Sequence, residues 1–434
     1  MKKNHINIII GLLFLTASFT ACNDYDTTAI GYEALVDDEE VEPTPPSIDP
    51  SWQLKVVNNN GQFDKRVFVY EDRLYNALFS TTEGWTGGDI VFSYRMPDNR
   101  VVWGARDSFF GIVDSESRAR QSKANTVRTT LLIQSGDIGN PKSGDLLALN
   151  ELVQTDDPTA ATYYNGVELM PSSKSNRRYY PLLANYSNGQ VHVLYGYYGT
   201  TPTAPRYSTA LVDYTLTGNP GDEGYLRVDN TNEELNSNTL TFEHSQLVNN
   251  DGYTYMYASN VLNSNSQILV SRFANGDYSS QPEYWVLNTD GAFEWVMEMP
   301  DSKLAAPRSN VLADNGSCQN PQAIKSGDYY YIIGQQYKDQ NTVYIWRSKT
   351  PYGPFAEQKT LFVVPSSVDK LGNRKYSALT RVVLHQTLSR TGELVFSTSQ
   401  TAAANADNFT YPGSADYVRP YFYRIFNWES IFEE

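Results

Sequence analysis

The feature that most constrains this chain is a pattern of five hairpin signals spread over most of its length. In each signal, a polar turn is followed by a run of β-branched and aromatic residues, which is typical of two antiparallel strands joined by a tight turn. The turns are marked by Asn99, Gly189, Gly252, Gly327 and Gly392. Four intervals separate positions 99 and 392, so the repeat is about 73 residues long, enough for one four-stranded sheet with its loops.

Five small sheets of this size predict an all-β fold, a five-bladed β-propeller, in which radial repetition protects the sheet edges. Long amphipathic helices are hard to find in the pattern, whereas strands and turns dominate it. A pair of β-sandwiches is the alternative. The repeat favours the propeller, which is expected to occupy residues 51–434.

The N-terminus carries an export signal that is not part of this fold. Lys2 and Lys3 precede an apolar run at 6–15, and small residues follow up to Cys22. The run is too short to span a bilayer, which requires about 20 apolar residues. Residues 1–21 are therefore predicted to be a signal peptide. Cys22 resembles the cysteine that is lipidated in bacterial lipoproteins.

Residues 22–50 are predicted to form the lipidated end and an extended acidic linker. From position 23 to position 50 the chain has nine Asp or Glu, four Pro and no Lys or Arg, a composition that cannot pack a core. The whole chain has a net charge of −15, but without this linker and the two leader lysines 32 basic and 40 acidic residues remain, a net charge of −8. The expected location is the outer membrane of a Gram-negative bacterium, at the cell surface, with membrane contact only through the lipid.

The composition argues against several other classes of protein. An acidic chain with 32 Tyr repels phosphate backbones, so no nucleic-acid partner is expected. Cys318 has no disulfide partner once Cys22 is lipidated, and the three histidines of the mature chain are too few for a multi-histidine metal site. Phosphate-loop and zinc-protease motifs are absent from the sequence. We therefore expect a monomer without a metal ion or cofactor.

The first strand of each propeller blade lines the central channel, so polar residues near the starts of these strands are candidates for one shared site. Counting back five to ten positions from each turn marker gives one station in each blade. These are Asp89, Tyr180, Glu243 with His244, Asn320 with Gln322, and His385. Strands that start in polar loops also carry polar residues without any functional role, and this alternative stays open.

Asp89 and Asp107 lie on the two strands of the first hairpin. If the turn is centred on Asp98, residue i faces residue 196 − i, which pairs Asp89 with Asp107. Directly opposed residues have Cβ atoms about 4.5–5.5 Å apart, and one of two carboxyl groups at that distance should have a raised pKa. Glycosidic cleavage requires such a pair, one acid and one base or nucleophile. Alternatively, Asp89 caps a turn and Asp107 begins a loop.

This hairpin resembles that of a group of bacterial propeller proteins, many of which are described only as domains of unknown function. Gly87-Gly88-Asp89 matches the Gly-Gly-Asp that opens their first blade, and Asp107-Ser108-Phe109 is similar to the Asp-Thr-Phe that closes their first hairpin. Related propellers include endo-D-arabinofuranosidases. The resemblance implies that Asp89 and Asp107 are catalytic and that the substrate is a polysaccharide, in particular one containing furanose sugars.

A wider resemblance connects the chain with arabinanase-like propeller hydrolases. It rests on Asn320-Pro321, on the segment 347–355 and on Arg419-Pro420. In better-known propeller hydrolases the third blade carries a Glu acid, which makes Glu243 the alternative catalytic acid here. The residues expected to bind substrate are Tyr180, His244, Asn320, His385 and Arg419.

The chain also departs from the family pattern. Arg106 replaces the usual Gly before Asp107, Ser108 replaces Thr, and the segment around Tyr180 lacks the expected Trp. Arg106 is expected to lower the pKa of Asp107 and so to favour a role as base. The sequence therefore predicts an exported, lipid-anchored glycoside hydrolase. A surface lipoprotein that binds glycans without cleaving them is the alternative, and a scaffold for protein partners is a third option.

Overall fold

The computed structural model describes residues 44–433 with several gaps, and it is all-β in these ranges apart from short helices. The gaps are 58–60, 62, 122–123, 151, 155–163, 171–176, 200–206, 237–240, 250, 261–266, 298–309, 314–315, 337–340, 366–375 and 403–404. Cys22, the signal peptide and most of the linker lie outside the described residues. The described strands belong to one unit, Pro46–Glu434. None of the helices in these ranges has the length and apolar character needed to cross a membrane.

The strands follow one another in sheet-forming groups along the chain. The first are β1 (Leu54–Val56) and β2 (Phe68–Asp72), followed by α1 (Arg73–Leu78). The next group is β3 (Glu83–Arg95), β4 (Val101–Ile112), β5 (Asn125–Gln134) and β6 (Leu146–Ala148). A small hairpin of β7 (Leu152–Gln154) and β8 (Tyr164–Gly166) precedes β9 (Arg177–Ser187), β10 (Gln190–Gly199), β11 (Tyr207–Leu216) and β12 (Leu226–Asn236).

The second half of the chain continues in the same way. It contains β13 (Thr241–Val248), β14 (Tyr253–Asn260), β15 (Ile268–Ala274), β16 (Glu283–Leu287) and β17 (Phe293–Val296). The following group is β18 (Gln319–Ser326), β19 (Tyr329–Gln335), β20 (Thr342–Ser348) and β21 (Ala356–Val363). The last elements are β22 (Tyr376–Leu384), β23 (Glu393–Ala402), α2 (Ser414–Tyr417) and β24 (Tyr421–Phe426). Short 3₁₀ helices lie at Pro50–Trp52, Ser143–Asp145, Asn405–Asn408 and Trp428–Phe432.

The fifth sheet joins the two ends of the chain and closes a ring. Its order is β1-β2-β24-β23-β22, and β2 pairs antiparallel with β24 from Phe68 opposite Phe426 to Glu71 opposite Tyr423. The first strands of the five sheets, β3, β9, β13, β18 and β22, contact one another in that order, and β22 contacts β3. The predicted five-bladed β-propeller is therefore confirmed, and a pair of sandwiches is not observed in the described ranges.

The five turn markers all lie between the first and second strands of a sheet. Each has a positive φ: 71° at Asn99, 83° at Gly189, 89° at Gly252, 54° at Gly327 and 73° at Gly392. Glycine reaches this region at little cost and asparagine more easily than other residues. The repeat is visible in the sequence because each hairpin needs such a residue.

Each pair of neighbouring sheets shares one cluster of buried apolar side chains. Between the fifth and first sheets, Trp103 packs against Phe422 with ring centroids 5.7 Å apart. The other four clusters lie between the first and second, the second and third, the third and fourth, and the fourth and fifth sheets. In this order they contain Ile133 with Val193, Leu194 with Phe273, Tyr257 with Ile332, and Ile345 with Ile425. Burial of one such side chain contributes about 1.5–3 kcal/mol. The hydrophobic core thus lies between the blades.

A buried ion network reinforces the closure of the ring. Arg424 on β24 donates from Nε to Asp72 Oδ2 at 2.6 Å, and its Nη1 donates to Glu393 on β23. All three side chains are buried. Removing one partner of a buried ion pair leaves an uncompensated charge, so this network makes the pairing of β2 with β24 specific.

Candidate functional site

The β3–β4 hairpin has a break in its ladder near Asp89 and Asp107. From the turn as far as Val91, residue i lies opposite residue 196 − i, as predicted. Asp89 then pairs with Arg106, because the ladder shifts on both sides of Asp89. Positive φ angles of 43° at Ile90 and 41° at Asp107 accompany this bulge. The predicted direct pairing of Asp89 with Asp107 is therefore wrong by one position.

The bulge places strain beside both carboxyl groups. A positive φ is a true outlier for a β-branched residue such as Ile90. Conformations of this kind cost about 1–3 kcal/mol and persist where the surrounding structure enforces them, which is common at functional sites. The bulge also releases Asp107 from the ladder and leaves its side chain exposed.

Gly87 and Gly88 allow close packing just before Asp89. A Cβ atom on Gly87 would overlap the carbonyl oxygen of Val418, and Gly87 has a φ of 150°. A Cβ atom on Gly88 would lie 2.9 Å from Ser108 Oγ. Glycine is therefore favoured at both positions before Asp89, because neighbouring chain segments leave no room for a side chain there.

The carboxylate of Asp89 is oriented by the fifth sheet. Ser399 Oγ on β23 donates to Asp89 Oδ1 at 2.8 Å, and the backbone N–H of Ile90 donates to the same oxygen at 3.0 Å. Within the described ranges Oδ2 accepts no hydrogen bond. One oxygen is therefore anchored, and the other is available to a ligand.

Asp107 combines solvent access with a raised pKa. Its side chain is exposed, yet desolvation by the surrounding protein and then the charge of Asp89 raise its pKa to about 6. Arg106 and Arg128 act in the opposite direction without offsetting these causes. Arg106 therefore lowers the pKa of Asp107 as expected, but the net shift is upward, so the expected role of Asp107 as base is not supported. The Arg106 side chain is buried and donates from Nε to Pro181 O at 3.0 Å, which directs it toward the second sheet.

Tyr180 lies beside this group on β9. It precedes Pro181, whose carbonyl oxygen Arg106 contacts. Burial raises the pKa of Tyr180, and the negative charge of Asp107 contributes further. The structure thus brings the stations of the first and second blades together at the junction of their sheets.

Glu168 and Arg128 also belong to this group, and sequence reasoning missed them. Arg128 follows Val127 on β5, which pairs with Ser108, and precedes Thr129, which pairs with Arg106, so Arg128 lies opposite Asp107. Glu168 accepts hydrogen bonds from Thr129 Oγ1 at 2.6 Å and Thr129 N at 2.9 Å, and it lies 3.3 Å from Arg128 Nη2. Glu168 comes from a loop after β8 and belongs to no repeat, so no pattern in the sequence indicates it.

A narrow polar cavity runs between the first strands of the five sheets. Its volume is about 50 Å³, and its polar lining includes Ser93, Arg106, Gln246, Asn320 and Gln322. A single water needs about 10–15 Å³, so the cavity has room for a few waters but not for a sugar ring. A glycan would therefore bind outside it. Within the described ranges, no group of three or more His, Cys, Asp or Glu side chains is arranged to hold a metal ion.

Asn320 lines this cavity, but its side-chain amide is engaged within the protein. Asn320 Nδ2 donates to Val382 O, and Gln322 Oε1 accepts a hydrogen bond from Leu384 N at 3.1 Å. Both side chains are buried and connect β18 with β22. The predicted contact of Asn320 with substrate is not supported by this arrangement, because its amide N–H already bridges two strands.

His385 lies in the core, and its predicted place on the axis is wrong. β22 ends at Leu384, and residues 385–392 form a longer connection than those of the other hairpins, so counting back from Gly392 reaches the end of the strand. His385 is fully buried between Trp103 and Phe422, with ring centroids 5.1 Å from each. Desolvation lowers its pKa to about 3. The side chain therefore has a structural environment and no route to substrate.

Arg419 is also engaged within the protein, which corrects its predicted role in substrate binding. Its Nη1 donates to Asn76 O at 2.8 Å, its Nε lies 3.2 Å from Asp416 Oδ1, and its guanidinium lies over the ring of Tyr421. The residue is buried. These contacts fix the segment between α2 and β24.

Glu243 and His244 lie on β13, the first strand of the third sheet. Their backbones pair with Ser259 and Ala258 on β14. Their side chains lie outside what the structure describes, so their predicted roles as alternative acid and substrate contact stay predictions.

Comparison with known proteins places the chain in a family. A family model described as a domain of unknown function, DUF5005, matches residues 72–428. A crystal structure from Bacteroides ovatus, of a protein described only provisionally as a hydrolase, is 36% identical with a TM-score of 0.81 and covers 91% of this chain and 99% of its own. The chain matches no curated protein.

More distant structures show a weaker likeness to this chain. A GH43 enzyme from Xanthomonas citri with bound xylotriose is 11% identical over 79% of this chain and 88% of its own, with a TM-score of 0.39. An α-L-arabinanase from Cellvibrio cellulosa is 12% identical over 75% and 90%, with a TM-score of 0.36. The family match and the Bacteroides relative each span most of the chain, and the protein therefore belongs to the DUF5005 family.

Proposed function

We propose that this protein is a glycoside hydrolase whose catalytic pair is Asp107 and Asp89. Asp107 acts as the general acid, and Asp89 acts as the base or nucleophile. The observation that carries the proposal is the raised pKa of Asp107, about 6, on an exposed bulge next to a second carboxylate. An acid with a pKa near the working pH is both protonated often enough and able to give up its proton.

The two environments support different roles for the two carboxyl groups. Asp107 is desolvated and lies near a like charge, which favours its neutral form. Asp89 has one oxygen held by Ser399 and by the Ile90 N–H. In the proposed step, the Asp107 proton moves to the glycosidic oxygen as the C–O bond breaks, and Asp89 attacks the anomeric carbon or takes a proton from the attacking water.

The relative supports a hydrolytic reaction, and the shape of the site supports a large substrate. The Bacteroides protein is described as a hydrolase, although only provisionally, and it shares 36% of its residues with this chain. The exposed position of Asp107 is accessible to an oligosaccharide or a polymer, whereas the axial cavity is not. A furanose-containing polysaccharide is the specific substrate that the sequence resemblance suggests.

The location belongs to the same proposal. Lipid on Cys22 would tether the propeller to the outer membrane, and the acidic segment from 23 to 50 would act as a spacer. A tethered enzyme can act on polymers too large to enter the cell. Labelling of cells with a radioactive fatty acid tests this, because Cys22→Ser should abolish labelling.

The catalytic proposal is tested by screening plant, fungal and bacterial polysaccharides for released oligosaccharides. Asp89→Asn and Asp107→Asn should each abolish release. Asp98→Asn is the matched control, since Asp98 pairs with Arg100 at the opposite end of the same hairpin. Release that survives both substitutions would refute the site. Binding of a glycan by the wild type without any product would favour the non-catalytic lipoprotein instead.

A further inference from the structure

Arg178 is an exposed cation beside the candidate site. It lies on β9 two positions before Tyr180, so the two side chains occupy the same face of the strand, and the buried Tyr179 between them faces the core. In the part of the chain that the structure describes, the guanidinium of Arg178 makes no ion pair and no hydrogen bond.

The neighbouring arginines differ from Arg178 in this respect. Arg177 lies 2.7 Å from Glu234 Oε1, Arg128 lies 3.3 Å from Glu168, and Arg106 donates to Pro181 O. Each therefore has a partner that offsets its charge or occupies its donors. Five N–H donors on a planar guanidinium match the two oxygens of a carboxylate or sulfate.

The strands place Arg178 close to the proposed chemistry. β9 contacts β3, β4 and β5, and Arg106 joins β4 to β9 at Pro181. Arg128 lies opposite Asp107 across the β4–β5 ladder. Arg178 thus lies beside Tyr180 on the second sheet, and Arg128 lies opposite Asp107 on the first.

The net charge of the protein is negative, so the protein as a whole does not attract an anion to Arg178. Without the linker and the two leader lysines the chain carries a net charge of −8, which disfavours anions at long range. An anionic group would therefore be held at this junction by local cations and not by the general field of the protein. A sugar without charge offers Arg178 only neutral oxygen acceptors, which bind a guanidinium less strongly than a carboxylate or sulfate does.

We propose that Arg178 binds an oxyanion on the sugar that lies next to Asp107, namely the carboxylate of a uronic acid or a sulfate ester. The substrate is then an acidic polysaccharide. This inference rests on the proposed hydrolase function for the position of the sugar, but the binding it describes does not require cleavage.

Binding is measured by calorimetry on the full chain carrying Asp107→Asn, so that no probe is consumed. The probes are a pectin-derived galacturonic acid oligosaccharide, the same oligosaccharide with its carboxyl groups reduced to alcohols, and a sulfated carrageenan oligosaccharide. The acidic probe that fits should bind about tenfold or more tightly than the neutral one, the usual effect of a charge-assisted hydrogen bond. Preference for the galacturonate or the carrageenan probe distinguishes the two sources of the oxyanion.

Two variants and a control test the role of Arg178. Arg178→Gln should remove the preference for the acidic probe, and Arg178→Lys should retain part of it. Arg73→Gln, at an exposed arginine on α1, should leave the preference unchanged. Equal binding of acidic and neutral probes by the parent protein, or an unchanged preference in Arg178→Gln, would overturn the inference.

The same assays separate this inference from the catalytic proposal. Hydrolysis of neutral polysaccharides alone, with no preference for acidic probes, overturns the anionic subsite and leaves Asp107 and Asp89 as the catalytic pair. Selective binding of an acidic probe, with no product released by the wild type from any polysaccharide in the screen, supports the subsite and favours the non-catalytic lipoprotein over the hydrolase.

Discussion

Ser399 Oγ on β23 lies 2.8 Å from Asp89 Oδ1 on β3, although 310 positions separate the two residues in the chain. The hydrogen bond crosses from the fifth sheet to the first. The orientation of Asp89 therefore depends on closure of the ring, in which the two ends of the chain share one sheet.

Ser399→Ala should lower kcat/KM about tenfold or more, because one hydrogen bond to a charged group is worth about 1.5–3 kcal/mol. Steady-state kinetics on the best polysaccharide from the screen measures the effect. Ser397→Ala, two positions earlier on the same strand, is the control and should have normal kinetics. Equal losses in both variants would show that Ser399 has no special role.

The activity should fall as the pH rises above about 6. Asp107 must be protonated to act as an acid, and its pKa is about 6, so the protonated fraction decreases about tenfold for each pH unit above that value. Arg128→Gln removes a charge that lowers this pKa and should move the alkaline limb to higher pH. A pH profile of kcat/KM with the same alkaline limb in both proteins would contradict this assignment.

His385 should make the protein sensitive to acid. Its pKa is about 3 in the folded protein against an ordinary value of 6.5, so the unfolded chain binds a proton that the folded chain does not. The folded protein therefore has its full stability, as far as His385 is concerned, above pH 6.5 and loses stability as the pH falls toward 3. In this range the folding equilibrium constant decreases by up to about tenfold per pH unit.

His385→Gln tests this effect. The variant should be less stable at neutral pH, since Nδ1 is hydrogen-bonded to Ser93 Oγ at 2.9 Å, but its stability should vary less between pH 6.5 and pH 3. Denaturant unfolding at several pH values gives the comparison. His192→Gln, at a partly exposed histidine, is the control. An altered KM in His385→Gln with unchanged stability would restore a direct role in substrate binding.

Gly87→Ala should destabilise the protein by about 2–4 kcal/mol, because the new Cβ would overlap Val418 O. Gly189→Ala is the matched control. Its φ is also positive, at 83°, but no atom lies within 4 Å of the new Cβ, so a cost of about 1 kcal/mol is expected. Urea unfolding measures both. Similar costs at the two positions would mean that backbone conformation, and not the close approach of Val418, requires Gly87.

Asp72→Asn should destabilise the protein by about 3–5 kcal/mol, the usual cost of removing one partner from a buried ion pair. Arg424 would keep only Glu393 as a charged partner. Lys55→Gln, which removes an exposed pair with Glu71 at 3.9 Å, should cost less than about 1 kcal/mol. Thermal unfolding followed by circular dichroism distinguishes the two. A small effect of Asp72→Asn would show that ring closure does not depend on the ion network.

The sequence was a good guide to features that depend on local chemistry. Asn99 and Gly392 mark turns because their positive φ angles restrict which residues fit, and this holds whatever the rest of the chain does. Counting back from a marker reaches the first strand of the sheet at Asp89, but at His385 it reaches only the connection that follows the strand. The count assumes a short turn, whereas residues 385–392 form a longer one. Glu168 reaches the site from a loop without any pattern, so its presence depends on how that loop packs.

The number of blades and the positions of their hairpins were determined by the sequence itself, since five similar turns with five similar strand runs can bury their apolar faces only against one another. The environment of the carboxyl groups was decided by the tertiary structure. The Ser399 contact joins segments far apart in the chain, and the desolvation that raises the pKa of Asp107 comes from the protein packed around it. The bulge that pairs Asp89 with Arg106 lies within one hairpin, but the hairpin pattern of the sequence does not indicate it. Burial and charge depend on every neighbour in space, and these neighbours are defined only once the ring is closed.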